Sequence, residues 1–179
     1  MSDWYLERLG LGGNDPATEP SRYMPAEICL NGHVTTDDLE SSPQRAAKFC
    51  SSCGAATIRA CSKCDSPIRG CYYIPGLVGA QNYSAPNHCF NCGMAFPWTQ
   101  ARIQAAKEYA AELEGLNAQE LEQLSATIDD LTTSGPRTEL AVTRFKRFMA
   151  KAGQAVGSGL YKIVVDVASE AAKKALIGA

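Results

Sequence analysis

The sequence predicts an α+β protein in which tandem zinc ribbons, built from short antiparallel strands, precede a helical C-terminal half. Three observations support this fold class. Cysteine and histidine residues form four close pairs between residues 29 and 92, a pattern typical of metal-stabilised ribbons. From Trp98 onward the chain is rich in Ala, Glu and Lys, which favour helix. Apolar residues then recur at helical spacing from Val142 to Ala171.

Composition limits the classes of protein that the chain can form. Its 179 residues fit one domain or two small ones, and a content of 45% hydrophobic and 20% charged residues is typical of a globular protein. The net charge of −2 does not indicate a basic protein overall. The unusual number is eight cysteines, so metal or disulfide chemistry has to be considered first.

The two ends of the chain predict a cytoplasmic protein. Asp3 and Glu7 lie where a secretory signal would carry positive charge, and no apolar core follows them. No run of 18 apolar residues occurs, because Lys162 and Asp166 interrupt the most apolar stretch, Ala152–Ala168. Thiols stay reduced in the cytosol, so the cysteines are expected to bind metal and not to form disulfides.

Seven cysteines and one histidine form the four close pairs. These are Cys29 with His33, Cys50 with Cys53, Cys61 with Cys64, and Cys89 with Cys92. Two thiolates two residues apart can hold one tetrahedral ion from a tight turn, and two such turns complete a four-ligand shell. The eight residues therefore predict two structural zinc ions per chain.

The four pairs can combine in two ways. Sequential pairing assigns Cys29, His33, Cys50 and Cys53 to one site, and Cys61, Cys64, Cys89 and Cys92 to the other. Crossed pairing would join the first pair to the third and the second to the fourth. We favour sequential pairing because it closes smaller loops. Gly54, directly after a ligand, is also typical of a zinc-ribbon turn that needs a positive φ.

Cys71 and His88 remain outside these pairs. Cys71 lies in an apparent strand and is expected to be a small buried side chain. His88 is interpreted as a neighbour of the second site and not as a ligand. Four protein ligands leave no position for a catalytic water, so we expect no enzyme activity.

The chain divides into three predicted regions. Residues 1–26 form an N-terminal arm, which is either a tail or a docking segment. Residues 27–96 form the double ribbon, and residues 97–179 form the helical region. Helices are predicted at about 99–113, 117–131 and 137–176, the last with a break near 153–159, where three glycines occur.

The last helical region is amphipathic. Its apolar positions are three or four residues apart, about 3.6 on average, which is the period of a core-facing helix. They are Val142, Phe145, Met149, Ala152, Val156, Leu160, Ile163, Val167 and Ala171. The two preceding helices are too short to cover this length. We therefore expect Val156–Val167 to face a second copy of the chain, with a membrane as the alternative.

Positive charge is concentrated near the C-terminus. Residues 136–179 hold 8 basic and 3 acidic side chains. The candidate contact for an anionic ligand or partner is the basic set Arg144, Lys146, Arg147 and Lys151. The alternatives are pairing with the acidic helices over residues 108–130, nucleic-acid binding and attachment to a membrane surface.

Several phrases of the sequence together resemble a known family. They are Ile28-Cys-Leu-Asn-Gly-His-Val34, Lys48-Phe-Cys-Ser-Ser-Cys-Gly-Ala55, Pro67-Ile-Arg-Gly70, Cys89-Phe-Asn-Cys-Gly93, Phe96-Pro-Trp-Thr99, Thr143-Arg-Phe-Lys146 and Val165-Asp-Val-Ala-Ser-Glu170. Over residues 23–179 the chain is similar to an uncharacterised bacterial double-zinc-ribbon family. The resemblance implies zinc at the eight ligands and brings no activity. Cys71 departs from the family pattern, which has an aromatic residue there.

These features predict a zinc-stabilised, non-catalytic binding or scaffolding module that acts through protein–protein contacts. Its partner is a protein, and self-association through the C-terminal helix is a further expectation. One alternative is an effector whose C-terminal amphipathic helix acts on membrane. The other is nucleic-acid binding through the basic C-terminal helix.

Overall fold

The computed structural model describes residues 19–77, 82–152 and 154–178, without the side chains of residues 154–156. The chain divides into two compact units, a ribbon unit that ends at Met94 and a helical unit that begins at Ala95. Short antiparallel strands lie in the first and helices in the second, which confirms the predicted α+β class. Most of the predicted N-terminal arm, residues 1–18, lies outside the described residues.

The described part of the ribbon unit contains five short strands in two antiparallel sheets. The strands are β1 (Arg22–Pro25), β2 (Glu27–Cys29), β3 (Val34–Thr36), β4 (Thr57–Ile58) and β5 (Arg69–Tyr73). β1 pairs with β5, and β2 lies between β3 and β4. A 3-10 turn at Pro43–Arg45 precedes the second ligand pair. Strands of two to five residues bury little apolar surface, so other interactions have to hold this unit.

A buried carboxylate ties the three-stranded sheet to the loops around it. Glu27 of β2 is fully buried, and its Oε2 lies 2.7 Å from the Nε of Arg59, beyond β4. Its Oε1 accepts a hydrogen bond of 2.7 Å from the amide of Ala47. A buried charge is stable only when it is paired and hydrogen-bonded, and both conditions hold here. Glu27 therefore positions the segment that leads to Cys50 and the one that leads to Cys61.

Gly70 allows two segments to meet at the start of β5. A Cβ at this position would lie 2.8 Å from the carbonyl oxygen of Met24 and would overlap the carbonyl group of Asp37. The amide of the next residue, Cys71, donates a hydrogen bond of 2.9 Å to the same Asp37 oxygen. Because the colliding atoms belong to paired backbone, they cannot move aside as a side chain would.

The described part of the helical unit contains five helices. They are α1 (Pro97–Ala111), α2 (Ala118–Leu131), α3 (Thr138–Ala152), α4 (Gln154–Val167) and α5 (Glu170–Ile177). Pro97 occupies the first turn of α1, a position that suits its fixed φ. Asn117 begins α2 with a capping box, in which Asn117 and Glu120 exchange two hydrogen bonds of 3.0 Å.

The predicted helix over 137–176 is interrupted at Ala168 and Ser169, a break that was not predicted. There Ser169 caps α5, and its amide donates a hydrogen bond of 2.8 Å to the carbonyl oxygen of Leu131. This break changes the helical register, so that Ala172 is buried instead of the predicted Ala171. Of the predicted break near 153–159, Gly153 lies outside the described residues, and the backbone of residues 154–159 is helical.

The interior of the helical unit corrects the expectation for Val156–Val167. Leu160, Val164 and Val167 are fully buried within the single chain. α4 packs against α1 and α3, and a Cβ at Gly157 would lie 3.5 Å from a backbone oxygen of Met149 in α3. Helix lengths alone do not reveal this packing. α3, α4 and α5 pack against one another, and α1 packs against α4, so the apolar face is covered within the chain.

The part of the chain that the structure describes contains no helix that is both long enough and apolar enough to cross a membrane.

We expect Gly70→Ala to destabilise the zinc-loaded protein by about 3 kcal/mol, the upper end for overpacking, because backbone atoms would have to move. The measurement is chemical unfolding monitored by circular dichroism. Gly135→Ala is the control, since a Cβ there meets nothing within 4 Å. Equal stability of the two variants would contradict the close approach at Gly70.

Candidate metal centres

Three of the four ligand turns share one backbone geometry. In the turn at Cys50, the Cys50 amide donates to the oxygen of Ala55 and the Gly54 amide donates to the oxygen of Cys50, both at 2.8 Å. The turns that begin at Cys61 and Cys89 repeat this pattern with hydrogen bonds of 2.8 to 2.9 Å. Both side chains of each CxxC pair are thereby held on one side of a tight turn.

Each of these turns requires a residue with positive φ after its last cysteine. Gly54 and Gly93 have φ values of 70° and 71°. The third turn has Asp65 at this position, with a φ of 55°. A left-handed conformation costs about 1–2 kcal/mol for a residue with a side chain, although Asp tolerates it better than most. The turn at Cys61 is therefore held in place by more than its own backbone preference.

The first pair is built differently. Cys29 ends β2, and the hairpin to β3 carries His33, with Gly32 at a φ of 86° between them. The amide of Cys29 donates a hydrogen bond of 3.0 Å to the oxygen of His33. The hairpin thus directs one sulfur and one imidazole to the same point.

The first ligand group contains Cys29, His33, Cys50 and Cys53. The Nδ1 atom of His33 lies 3.3 Å from the sulfur of Cys53, 3.6 Å from that of Cys29 and 3.7 Å from that of Cys50. The sulfurs of Cys29 and Cys53 are 3.8 Å apart. A single imidazole nitrogen therefore faces three sulfurs.

The second group contains Cys61, Cys64, Cys89 and Cys92. The sulfurs of Cys61 and Cys92 are 3.7 Å apart, and those of Cys64 and Cys89 are 3.6 Å apart. Two sulfurs bound to zinc at about 2.3 Å in a tetrahedron lie about 3.8 Å apart, and a sulfur and a nitrogen about 3.5 Å apart. Both groups therefore fit structural zinc sites, and they are the two sets that sequential pairing predicts.

Hydrogen bonds favour the thiolate form at the two sites. The Ala55 amide, followed by the side chain of Asn31, lowers the pKa of Cys53 to about 6. The Ser66 side chain and amide lower the pKa of Cys64 to about 6. Both groups are therefore largely deprotonated at neutral pH, which is the form that binds zinc.

The pKa values of three other ligands are raised. In the second site, burial and hydrogen bonding with the sulfurs of Cys64, Cys61 and Cys89 raise the pKa of Cys92 to about 11. The other two ligands belong to the hairpin of the first site. Burial raises the pKa of Cys29, and hydrogen bonding to the Cys53 sulfur raises that of His33. Zinc binding must displace both of these protons, so the hairpin ligands oppose metal binding at low pH more than Cys53 does.

Cys71 and His88 belong to neither group. Cys71 is half-buried in β5, and burial together with the nearby carboxylates of Asp37 and Asp38 raises the pKa of its thiol. A thiol in that environment is a packing group and not a reactive one.

The four predicted basic residues lie on α3 and have different surroundings. Lys151 forms an ion pair of 2.7 Å with Glu120 of α2, and Lys146 donates a hydrogen bond of 2.7 Å to the carbonyl of Ala175. Arg144 and Arg147 line an open depression of about 440 Å³. Its other lining residues are Gln123, Leu140 and Thr143.

Two residues of the ribbon unit were missed by the sequence analysis. Glu27 was not recognised as a structural residue, although a single acid in the apolar run Ala26–Cys29 is a usable signal for a buried, paired carboxylate. Arg69 was not recognised either, although its guanidinium group lies between aromatic side chains from two other segments. No local pattern reveals such an arrangement.

Two ligand groups on short antiparallel strands, followed by a helical unit, define the class as a double zinc-ribbon protein. Residues 22–176 match the model of one protein family, described as "Uncharacterized protein conserved in bacteria (DUF2321)", and the chain belongs to that family. No curated protein matches the chain, and no solved structure does either.

We expect Cys53→Ser and Cys92→Ser each to remove about one zinc ion per chain, because each breaks one four-ligand shell. Cys71→Ser serves as the matched control and should remove none. Metal analysis of the purified proteins by mass spectrometry measures this directly. A single ion in the unmutated protein, or loss of an ion with Cys71→Ser, is incompatible with the two ligand groups.

Proposed function

We propose that the protein is a zinc-stabilised, non-catalytic binding or scaffolding module that acts through protein–protein contacts in the cytoplasm. The donor set supports a structural role for the metal. Each group supplies four ligand atoms that lie within 4.8 Å of one another, which fills a tetrahedral shell. Catalytic zinc keeps one position for water or substrate, and these shells have none.

The main support for a binding role is the distribution of exposed apolar side chains between the two units. Nine of the large hydrophobic residues that are exposed among the described residues belong to the ribbon unit, and two belong to the helical unit. The nine are Tyr23, Leu30, Val34, Phe49, Tyr72, Ile74, Leu77, Phe90 and Met94, and the two are Leu140 and Ile177. A small unit that exposes many large apolar groups is typical of a protein-interaction surface.

A second candidate function is anion binding by the helical unit. The depression beside Arg144 and Arg147 supports it, because both guanidinium groups border an open space together with Gln123 and Thr143. This site would serve contact with nucleic acid or with an anionic membrane surface. Lys151 contributes less, since its ammonium group is already paired with Glu120.

The test is affinity purification of the tagged protein from its native cells. Phe49 and Leu77 are 64% and 62% exposed, so Phe49→Ser with Leu77→Ser removes apolar surface at little cost to folding. We expect a stoichiometric protein partner to co-purify with the unmutated chain and to be lost with this double variant.

The matched control replaces Leu140 and Ile177, which are exposed on the helical unit, by serine. It should retain the partner, and both variants should retain two zinc ions. A partner that is lost with the control and kept with the ribbon variant would reject the ribbon surface and favour the second candidate. Absence of any stoichiometric protein partner would reject the proposed function.

A further inference from the structure

We propose that Arg69 is the recognition residue of a peptide-binding site on the ribbon unit. The site takes a segment of another protein that carries one carboxylate next to an apolar side chain. This inference rests on the proposed function and names the chemistry of the partner.

The guanidinium group of Arg69 lies between two aromatic rings. Its Cζ is 4.6 Å from the ring centroid of Tyr23 in β1 and 3.7 Å from that of Phe90, in the turn between Cys89 and Cys92. The Tyr23 ring in turn contacts that of Tyr72 at 4.9 Å. A stacked guanidinium leaves its N–H donors at the edge of the plane, and these donors match a carboxylate in a two-bond geometry.

The backbone of Arg69 is also fixed. The hydroxyl of Tyr83 donates a hydrogen bond of 2.7 Å to its carbonyl oxygen, and Arg69 is opposite Pro25 in the pairing of β1 with β5. The close contact at Gly70 holds the next residue in place. Since both its main chain and its side chain are positioned in advance, little conformational entropy remains to be lost on binding.

Arg69 forms no ion pair with any of the described residues, in contrast to its neighbour Arg22. Arg22 pairs with Glu40 at 2.6 Å and with Glu19 at 3.5 Å. The positive charge next to Arg69 is therefore already neutralised, whereas that of Arg69 is available to an incoming carboxylate.

A groove with a mainly apolar floor adjoins the guanidinium group. Its volume is about 340 Å³, and Arg69, Tyr23 and Phe90 line it together with Met24, Pro25, Pro67 and Ile68. The ion pair of Arg22 and Glu40 completes the lining, so the Glu40 carboxylate is already neutralised by its own arginine. Met24 and Ile68 are buried, whereas the rings of Tyr23 and Phe90 are about half exposed. An apolar side chain next to the ligand's carboxylate would fill this groove, and aromatic and arginine side chains are enriched where partners bind.

The charge of the ribbon unit favours a peptide over nucleic acid. Its described residues include six basic and six acidic side chains. Two zinc ions contribute four positive charges and seven thiolates contribute seven negative ones, which leaves the loaded unit at −3. A nucleic-acid site needs a basic surface to neutralise several phosphates, whereas one carboxylate needs one arginine.

The test is a titration of the zinc-loaded, ¹⁵N-labelled full chain, followed through the Nε–Hε resonance of Arg69. The probes are the capped peptide Gly-Phe-Glu-Leu-Gly and the same peptide with Gln in place of Glu. We expect the Glu peptide to shift the resonance and to bind about tenfold more tightly, because it makes a charge-assisted hydrogen bond.

Two variants complete the experiment, together with an oligothymidylate as a second ligand that represents nucleic acid. Arg69→Gln should abolish the preference for the Glu peptide while both zinc ions stay bound. Retention of zinc would show that the substitution acts on recognition of the peptide and not on the second ligand group near Phe90. Arg45→Gln, an exposed arginine of the same unit, should leave the preference unchanged.

Three results would overturn the inference. They are equal affinity for the two peptides, a preference that survives Arg69→Gln, and tighter binding of an oligothymidylate than of the Glu peptide. In each case, a partner that co-purifies with the unmutated chain and is lost with the Phe49→Ser and Leu77→Ser double variant would still support the proposed function. The two proposals can therefore be rejected independently.

Discussion

Zinc–thiolate coordination is the interaction on which the ribbon unit depends. Its strands have two to five residues, and its fully buried large apolar side chains amount to little more than Ile28 and Ile68. Apolar burial on that scale does not offset the entropy of ordering so many loop residues. Structural zinc contributes roughly 10–16 kcal/mol in small zinc modules at neutral pH. Two such ions supply what the small core lacks, and the backbone of the four turns is arranged to present their ligands.

The helical unit is stabilised by a buried apolar core and not by metal. Its core combines Leu124, Ile128, Phe145, Leu160 and Val164, all fully buried, from three helices. The ribbon unit is stabilised at its metal sites and has no need to bury every aromatic residue, so Tyr23, Tyr72 and Phe90 can stand on its surface around Arg69. This division explains why the exposed apolar groups are concentrated in the metal-bound half, where the proposed partner site lies.

The spacing of residues in the sequence predicts those structural features that depend only on residues close together in the chain. The ligand pairs, the glycine after Cys53 and the cap at Asn117 each depend on residues within five positions, so they can be inferred without the fold. The burial of Glu27 and the stacking of Arg69 depend on segments that meet only in three dimensions. The break at Ser169 also depends on a contact between distant segments, because the amide of Ser169 donates its hydrogen bond to the carbonyl oxygen of Leu131. The expectation that the face around Leu160 contacts a second chain was wrong for the same reason, because the helices that cover it meet only in three dimensions.

The most direct test of the account is X-ray absorption spectroscopy at the zinc edge of the fully loaded protein. Closed shells of seven cysteines and one histidine predict an average of 3.5 sulfur and 0.5 nitrogen ligands per ion. The expected distances are about 2.3 Å to sulfur and about 2.0–2.1 Å to nitrogen. An average shell with fewer than about three sulfurs per ion, or with a water oxygen at either zinc, would contradict a purely structural role for the metal.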